Sequence, residues 1–199
     1  MDGEANSLTK VIMTDGSLLF ISSLISCLFG ALTILFFIVV KKELSIREYL
    51  CLYSVAFKDF FMWISFLLLA VACFDALTYL LGRPIVPDGT IKQLQTVSPV
   101  IYIFVFAILV APIFEECLFR GFLFAGLLES RLGAPGAIAI TALTWAAVHF
   151  QYDLYTIALI FILGNLLGFA RLRTRSLYVP TAMHATANSI AMLEASIAA

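Results

Sequence analysis

From Ser98 to Arg131 the chain reads SPVIYIFVFAILVAPIFEECLFRGFLFAGLLESR. Apolar residues fill every face of the first half, as in a helix surrounded by lipid or by other apolar helices. At 1.5 Å per residue the stretch would make about 50 Å of helix, too long for one untilted crossing of a hydrocarbon core about 30 Å thick. It must therefore tilt, kink or emerge. Pro112 offers the kink, because it has no N–H to bond back four residues and leaves a carbonyl unpaired within the helix. Just after it come Glu115, Glu116 and Arg120, three ionisable groups within six residues. On insertion scales each costs at least about 2.5–3.5 kcal/mol at the centre of a span unless it is paired or hydrated.

The rest of the 199 residues agrees with a membrane setting: 62% are hydrophobic, 13% are charged and the mean hydropathy is +1.04. Soluble domains run near 45–50% apolar and 25% charged. The expected fold is all-α, a polytopic membrane bundle of about six spans in a single domain, 1–199. Besides the quoted element, the apolar runs are Ser17 to Val40, Phe60 to Leu81, Gly136 to Phe150, Tyr155 to Leu172 and Leu177 to Ala195. Lys41 to Asp59 mixes charges with Leu44, Ile46, Tyr49 and Leu50, and reads as a short amphipathic segment on the membrane surface. The N-terminus, with Asp2, Glu4, Lys10 and Asp15 before the first run, lacks the basic start of a cleaved signal peptide, so the first span is expected to be retained. Twelve Lys and Arg against thirteen Asp and Glu, with no basic block, exclude a nucleic-acid partner. Cys27, Cys51, Cys73 and Cys117 stand singly and suggest neither a disulfide framework nor a zinc ribbon.

Lys and Arg near span ends are retained on the cytoplasmic side. With both termini outside, the inner loops hold Lys41, Lys42, Arg47, Lys58, Arg131, Arg171, Arg173 and Arg175. The outer segments hold Lys10, Arg83 and Lys92. An N-out, C-out protein of a prokaryotic plasma (inner) membrane is expected, with lipid as its first partner.

Glu116 and Arg120 are spaced i, i+4 with the acid first, the arrangement that favours an ion pair on one helix face. Glu115 points about 100° away and is left free to face a cavity as an acid or base. The chain has two histidines, His149 and His184, both in apolar segments. His184 and Asn188 are again i, i+4 and can act on one small group, while Trp145 lies one turn before His149 and can orient its ring. Glu115, His149 and His184 fall on three different spans, so only a bundle brings them together. Each alone fits structural polarity, an ion pair or an interhelical hydrogen bond. Together they point to a catalytic or ion-carrying centre. Asp75, near the end of its span, can reach the interface. Gly164 and Gly168 form a small-xxx-small helix contact, and Asn165 beside them suits an interhelical hydrogen bond.

This pattern resembles the CPBP family of glutamate-type intramembrane proteases, which includes the CAAX prenyl endopeptidases. The motif Glu-Glu-x-x-x-Arg is matched by Glu115, Glu116 and Arg120; Phe-x-x-x-His by Trp145 to His149, with Trp in the Phe position; and His-x-x-x-Asn by His184 and Asn188. The resemblance covers about residues 112–189, within a catalytic half at 96–195, and leaves 1–95 without motifs. It implies hydrolysis of a peptide bond in a membrane-anchored or lipidated protein or peptide. Glu115 and His149 would activate water, His184 and Asn188 would stabilise the oxyanion, and Glu116, Arg120 and Trp145 would support them. No cofactor is expected. Zinc on Glu115, His149 and His184 is the alternative, although the His-Glu-x-x-His spacing of a zinc-protease helix is missing. A proton-coupled transporter or a non-catalytic peptide-binding immunity protein would use the same buried groups differently.

Overall fold

The structure is a computed structural model that describes residues 15–41 and 45–199. Asp2, Glu4, Lys10, Lys42 and Leu44 lie outside the described residues. The helices are α1 (Gly16–Lys41), α2 (Ile46–Tyr49), α3 (Phe57–Leu80), α4 (Asp88–Thr96), α5 (Ile101–Leu128), α6 (Gly133–Ala147), α7 (Leu154–Thr174) and α8 (Tyr178–Ala198). All six expected spans are helical, and the chain is a multi-pass integral membrane protein. Four of them, α1, α3, α5 and α7, are long and apolar enough to cross a membrane. The 15 residues of α6 fall short in length. The 21 of α8 suffice in length but are diluted by Thr181, His184, Thr186, Asn188, Ser189 and Glu194.

Contacts between helix ends show that the crossings alternate. At one end of the bundle the Gly16 N–H donates to Thr96 Oγ1, Gln95 Nε2 reaches the Ala199 carbonyl, and Arg83 pairs with Asp153. At the other end Lys41 lies over the Tyr49 ring, the Leu177 N–H donates to the Cys51 carbonyl, and Ser176 Oγ donates to the Tyr53 carbonyl. Helix α5 runs alongside α1, with Phe20 against Tyr102 and Phe106 near its start and Phe37 against Phe122 further on. The long third element thus crosses once.

The expected amphipathic segment, Lys41 to Asp59, joins α1 to α3 at one end of the bundle. Among the described residues between α1 and α3 only Ile46–Tyr49 is helical, opened by a capping box in which Ser45 Oγ accepts from the Glu48 N–H and the Glu48 carboxylate accepts from the Ser45 N–H. Those bonds from Ser45 hold the Glu48 carboxyl below its usual range. Tyr49 and Leu50 then turn inward to pack with Ile34, Ile38 and Leu177.

A second apolar cluster joins the helices around the middle of the bundle: Trp63 and Leu67 of α3, Phe119 of α5, Trp145 of α6, Leu167 and Ala170 of α7, and Val179 and Met183 of α8. Helices α6 and α7 form a close antiparallel hairpin because glycine lets their backbones meet. A Cβ on Gly164 would stand 3.0 Å from Trp145 Cε3 and 3.1 Å from Ala142 Cα, while one on Gly168 would touch Ile138 at 3.4 Å. The expected small-residue contact is therefore formed. Asn165, however, donates to the Phe161 carbonyl of its own helix at 2.7 Å instead of bridging to another. Asp153 caps α7 by accepting the Thr156 N–H at 3.0 Å.

Replacing Gly164 with Leu should force the hairpin apart. A loss of about 1–3 kcal/mol is expected from overpacking, read as a lower melting temperature of the purified protein in detergent.

Candidate active site

Local backbone chemistry in α5 prepares the site. Residues Phe106–Val110 are π-helical, and the Ala111 N–H bonds back five residues to the Phe106 carbonyl. In that register the Ala107 carbonyl should be met by residue 112, which is proline and has no N–H. Asn188 of α8 supplies the missing donor, its Nδ2 lying 2.7 Å from the Ala107 oxygen. The proline that sequence reading treats as a kink thus becomes a widened turn stitched to another helix. A second π-helical stretch, Cys117–Leu123, carries Arg120. Such turns occur often at functional positions.

Between these turns, α5 presents the two acids. Glu116 is fully buried, and its Oε1 accepts from Arg120 Nη1 at 2.8 Å and from His184 Nδ1 at 3.0 Å. Arg120, also fully buried, spends its other terminal nitrogen on the Gly164 carbonyl at 3.1 Å, and its guanidinium lies 4.5 Å from the Trp145 ring centroid. Glu116 Oε2 and Arg120 Nε are buried without a hydrogen-bond partner, so the pair meets through one contact and not as a two-pronged fork. The expected Glu116–Arg120 pair is present. Its second branch to His184 is not visible from spacing along one helix.

Glu115 keeps 22% of its side chain exposed. Its Oε2 accepts from Trp145 Nε1 at 2.5 Å and lies 3.9 Å from His184 Nε2. The latter separation is too long for a direct hydrogen bond and suits a bridging water. His149 lies just past the C-terminus of α6, in a turn, and its Nδ1 is 2.8 Å from the Trp145 carbonyl oxygen. A carbonyl can only accept, so that nitrogen carries a proton, and in the neutral ring Nε2 is the one with the lone pair. Trp145 therefore orients His149 through its main chain. The two rings meet edge to face, with centroids 5.3 Å apart, while Tyr152 stacks on the imidazole at 6.3 Å. The Trp145 ring also meets the His184 ring edge to face at 5.0 Å.

Trp145, His149, His184 and Asn188 line a cavity of about 430 Å³, whose lining also includes Asp75 and Glu194. Among the described residues no three of His, Cys, Asp and Glu form a cluster able to hold a metal ion. Spacing in the sequence did not single out Tyr152, the Gly164 carbonyl or the Ala107 carbonyl. The last of these was foreshadowed by Pro112.

Comparison with known proteins bears on the same region. The family model described as Type II CAAX prenyl endopeptidase Rce1-like matches residues 96–190. Over that stretch, a little under half of its length, the chain is similar to this family. An uncharacterised 24.3 kDa protein of Escherichia coli is 33% identical over 106 residues, 50% of this chain and 46% of the relative, so the match spans about half of that protein's length. No solved structure matches. The matched segment contains Glu115, Glu116, Arg120, Trp145, His149, His184 and Asn188.

Replacing Asn188 with Ala should leave the Ala107 carbonyl without its donor and cost about 1–3 kcal/mol. Arg120→Met, which strands a buried carboxylate, should cost about 3–5 kcal/mol. Thermal unfolding of the two purified variants measures both losses and their order.

Proposed function

We propose that the chain is an intramembrane endopeptidase that hydrolyses a peptide bond of a membrane-anchored or lipidated protein or peptide. The observation that carries this reading is the placement of Glu115 beside His184, with Oε2 3.9 Å from Nε2, while His149, His184 and the Trp145 that holds Glu115 line one cavity. A carboxylate with an exposed edge is suited to take a proton from water. The lone pair of His149 Nε2 can accept a hydrogen bond from the second water O–H and so aim the oxygen at a carbonyl carbon.

Attack converts the carbonyl into an oxyanion. His184, held at Nδ1 by Glu116, presents Nε2 towards the same space, and when protonated there it donates to that oxygen. With His184 doubly protonated, Glu115, Glu116, Arg120 and His184 carry charges that sum to zero, the condition under which burying four charged groups costs least. Asn188 spends one amide N–H on Ala107, which fixes its side chain, and has a second N–H to offer the oxyanion. Preorganised donors of this kind are worth about 2.7–4 kcal/mol each in other hydrolases. Glu115 then passes its proton to the leaving nitrogen, so water is split between the two products and no group on the protein is consumed.

The reading is metal-free. It is supported by the attachment of Glu115 to the Trp145 indole and by the lack of a third side chain to join Glu115 and His184 in a ligand cluster among the described residues. The face bearing Lys41, Arg47, Arg131, Arg171, Arg173 and Arg175 is assigned to the cytoplasm of a prokaryotic cell by the retention of positive charge on that side.

Cleavage of a membrane-tethered reporter by the purified protein tests the reading. Glu115→Gln, which preserves an acceptor for the Trp145 N–H, should fold normally and lose about 10²–10⁴ of the rate. His149→Ala should lose activity as well. If both variants cleave like wild type, this centre does not carry out the reaction. Phenanthroline should leave cleavage unchanged, and complete inhibition reversed by zinc would overturn the metal-free mechanism.

A further inference from the structure

At the positively charged end of the bundle a second cavity, of about 720 Å³, opens between the ends of α1, α5 and α7. Its charged lining is Lys41, Arg171, Arg173 and Arg175 against Glu48 and Glu129. The Glu48 carboxylate is occupied by the Ser45 N–H and hydroxyl, at 2.9 and 2.6 Å.

Arg171 is the unusual member. Only 5% of it is exposed, its Nε donates to the Arg120 carbonyl at 3.0 Å, and its guanidinium lies 5.5 Å from the Phe124 ring centroid. Its two terminal nitrogens are not enclosed, and among the described residues they have no hydrogen-bond acceptor and no carboxylate within ion-pair distance. A guanidinium so little exposed, with its free N–H groups turned to a cavity and no counter-anion, favours an anion from outside the chain. Arg173 and Arg175 stand on the rim with exposed side chains, and neither has an ion-pair partner among the described residues. Arg175 closes α7 in a left-handed conformation, with φ of 51°, where glycine is the usual residue.

The pocket lies at the level where helices end, which is where lipid phosphates sit. Phe124, Ala125, Leu128 and Leu172 line its apolar side, and Leu128 is itself exposed on the lipid-facing surface. A free phosphate would leave that wall uncovered. We propose that this pocket binds the phosphodiester headgroup of an anionic glycerophospholipid. Arg171 provides the terminal N–H groups of a two-pronged contact, Arg173 and Arg175 close over the phosphate from the rim, and the first methylenes of the acyl chains lie along Leu128. A zwitterionic lipid carries the same phosphate but would bring a cation against three arginines. The site is separate from the proposed hydrolytic centre and does not rest on it.

Native mass spectrometry of the protein in neutral detergent, with phosphatidylglycerol, phosphatidylcholine or inorganic phosphate added in turn, tests the assignment. Phosphatidylglycerol should stay bound in preference to phosphatidylcholine. Arg173→Gln combined with Arg175→Gln, both on the exposed rim, should weaken its retention at least about tenfold, with elution volume and helicity unchanged. Arg171→Gln should weaken it further, and the rim variant keeps the test valid if Arg171→Gln does not fold. Equal retention of the two lipids, or undiminished retention by the rim variant, overturns the proposal. Capture of inorganic phosphate without the lipid overturns the lipid source.

Discussion

One carboxylate oxygen, Glu116 Oε1, receives both the Arg120 guanidinium and the His184 imidazole. Around it the three helices that carry motif residues are fixed to one another. Arg120 extends the contact to the backbone of α7 at Gly164 and to the face of Trp145 on α6, while His184 ties in α8. The other acid in the doublet is positioned by the same indole, through its N–H. Breaking the Glu116 node would leave charges in an apolar interior with no water to receive them, so the node sets the relative placement of everything that could take part in chemistry.

The two glutamates therefore divide their work by environment more than by identity. Glu116 is fully buried and saturated at one oxygen, which suits a fixed anchor. Glu115 is partly exposed and holds a single hydrogen bond at Oε2. Neighbouring positions on a helix differ by about 100° in direction, enough to send one carboxylate into the core and the other to its edge.

Most of the bundle was legible in the sequence, because a run of apolar residues of membrane length leaves the backbone no alternative to a helix. The Glu116–Arg120 pair was legible too, since i, i+4 spacing places both groups on one face. What spacing does not encode is the partner on another helix. Nothing along α8 announces that Asn188 will meet the Ala107 carbonyl; that bond follows from a π-turn whose next N–H is missing at Pro112. The same limit explains Trp145, read as a ring against His149 but acting through its carbonyl on His149 and its indole N–H on Glu115. It also explains Asn165, which satisfies itself within its own helix. The Lys41–Asp59 segment was read as amphipathic, but spacing does not say which neighbours its apolar side meets; the packing of Tyr49 and Leu50 on Leu177 and the hydrogen bonds of Cys51 and Tyr53 to the start of α8 supply that.

The brevity of α6 has a consequence for the surrounding lipid. Its 15 residues reach about 22 Å, several ångströms less than the hydrocarbon thickness of an ordinary bilayer. A hydrophobic element that is too short is accommodated by local compression of the membrane or by admission of water at its end, at a cost of fractions of a kcal/mol per ångström. The end in question carries His149, Gln151 and Tyr152, which face the first cavity. In a bilayer of ordinary thickness, either response would bring water towards the end of α6 that carries His149.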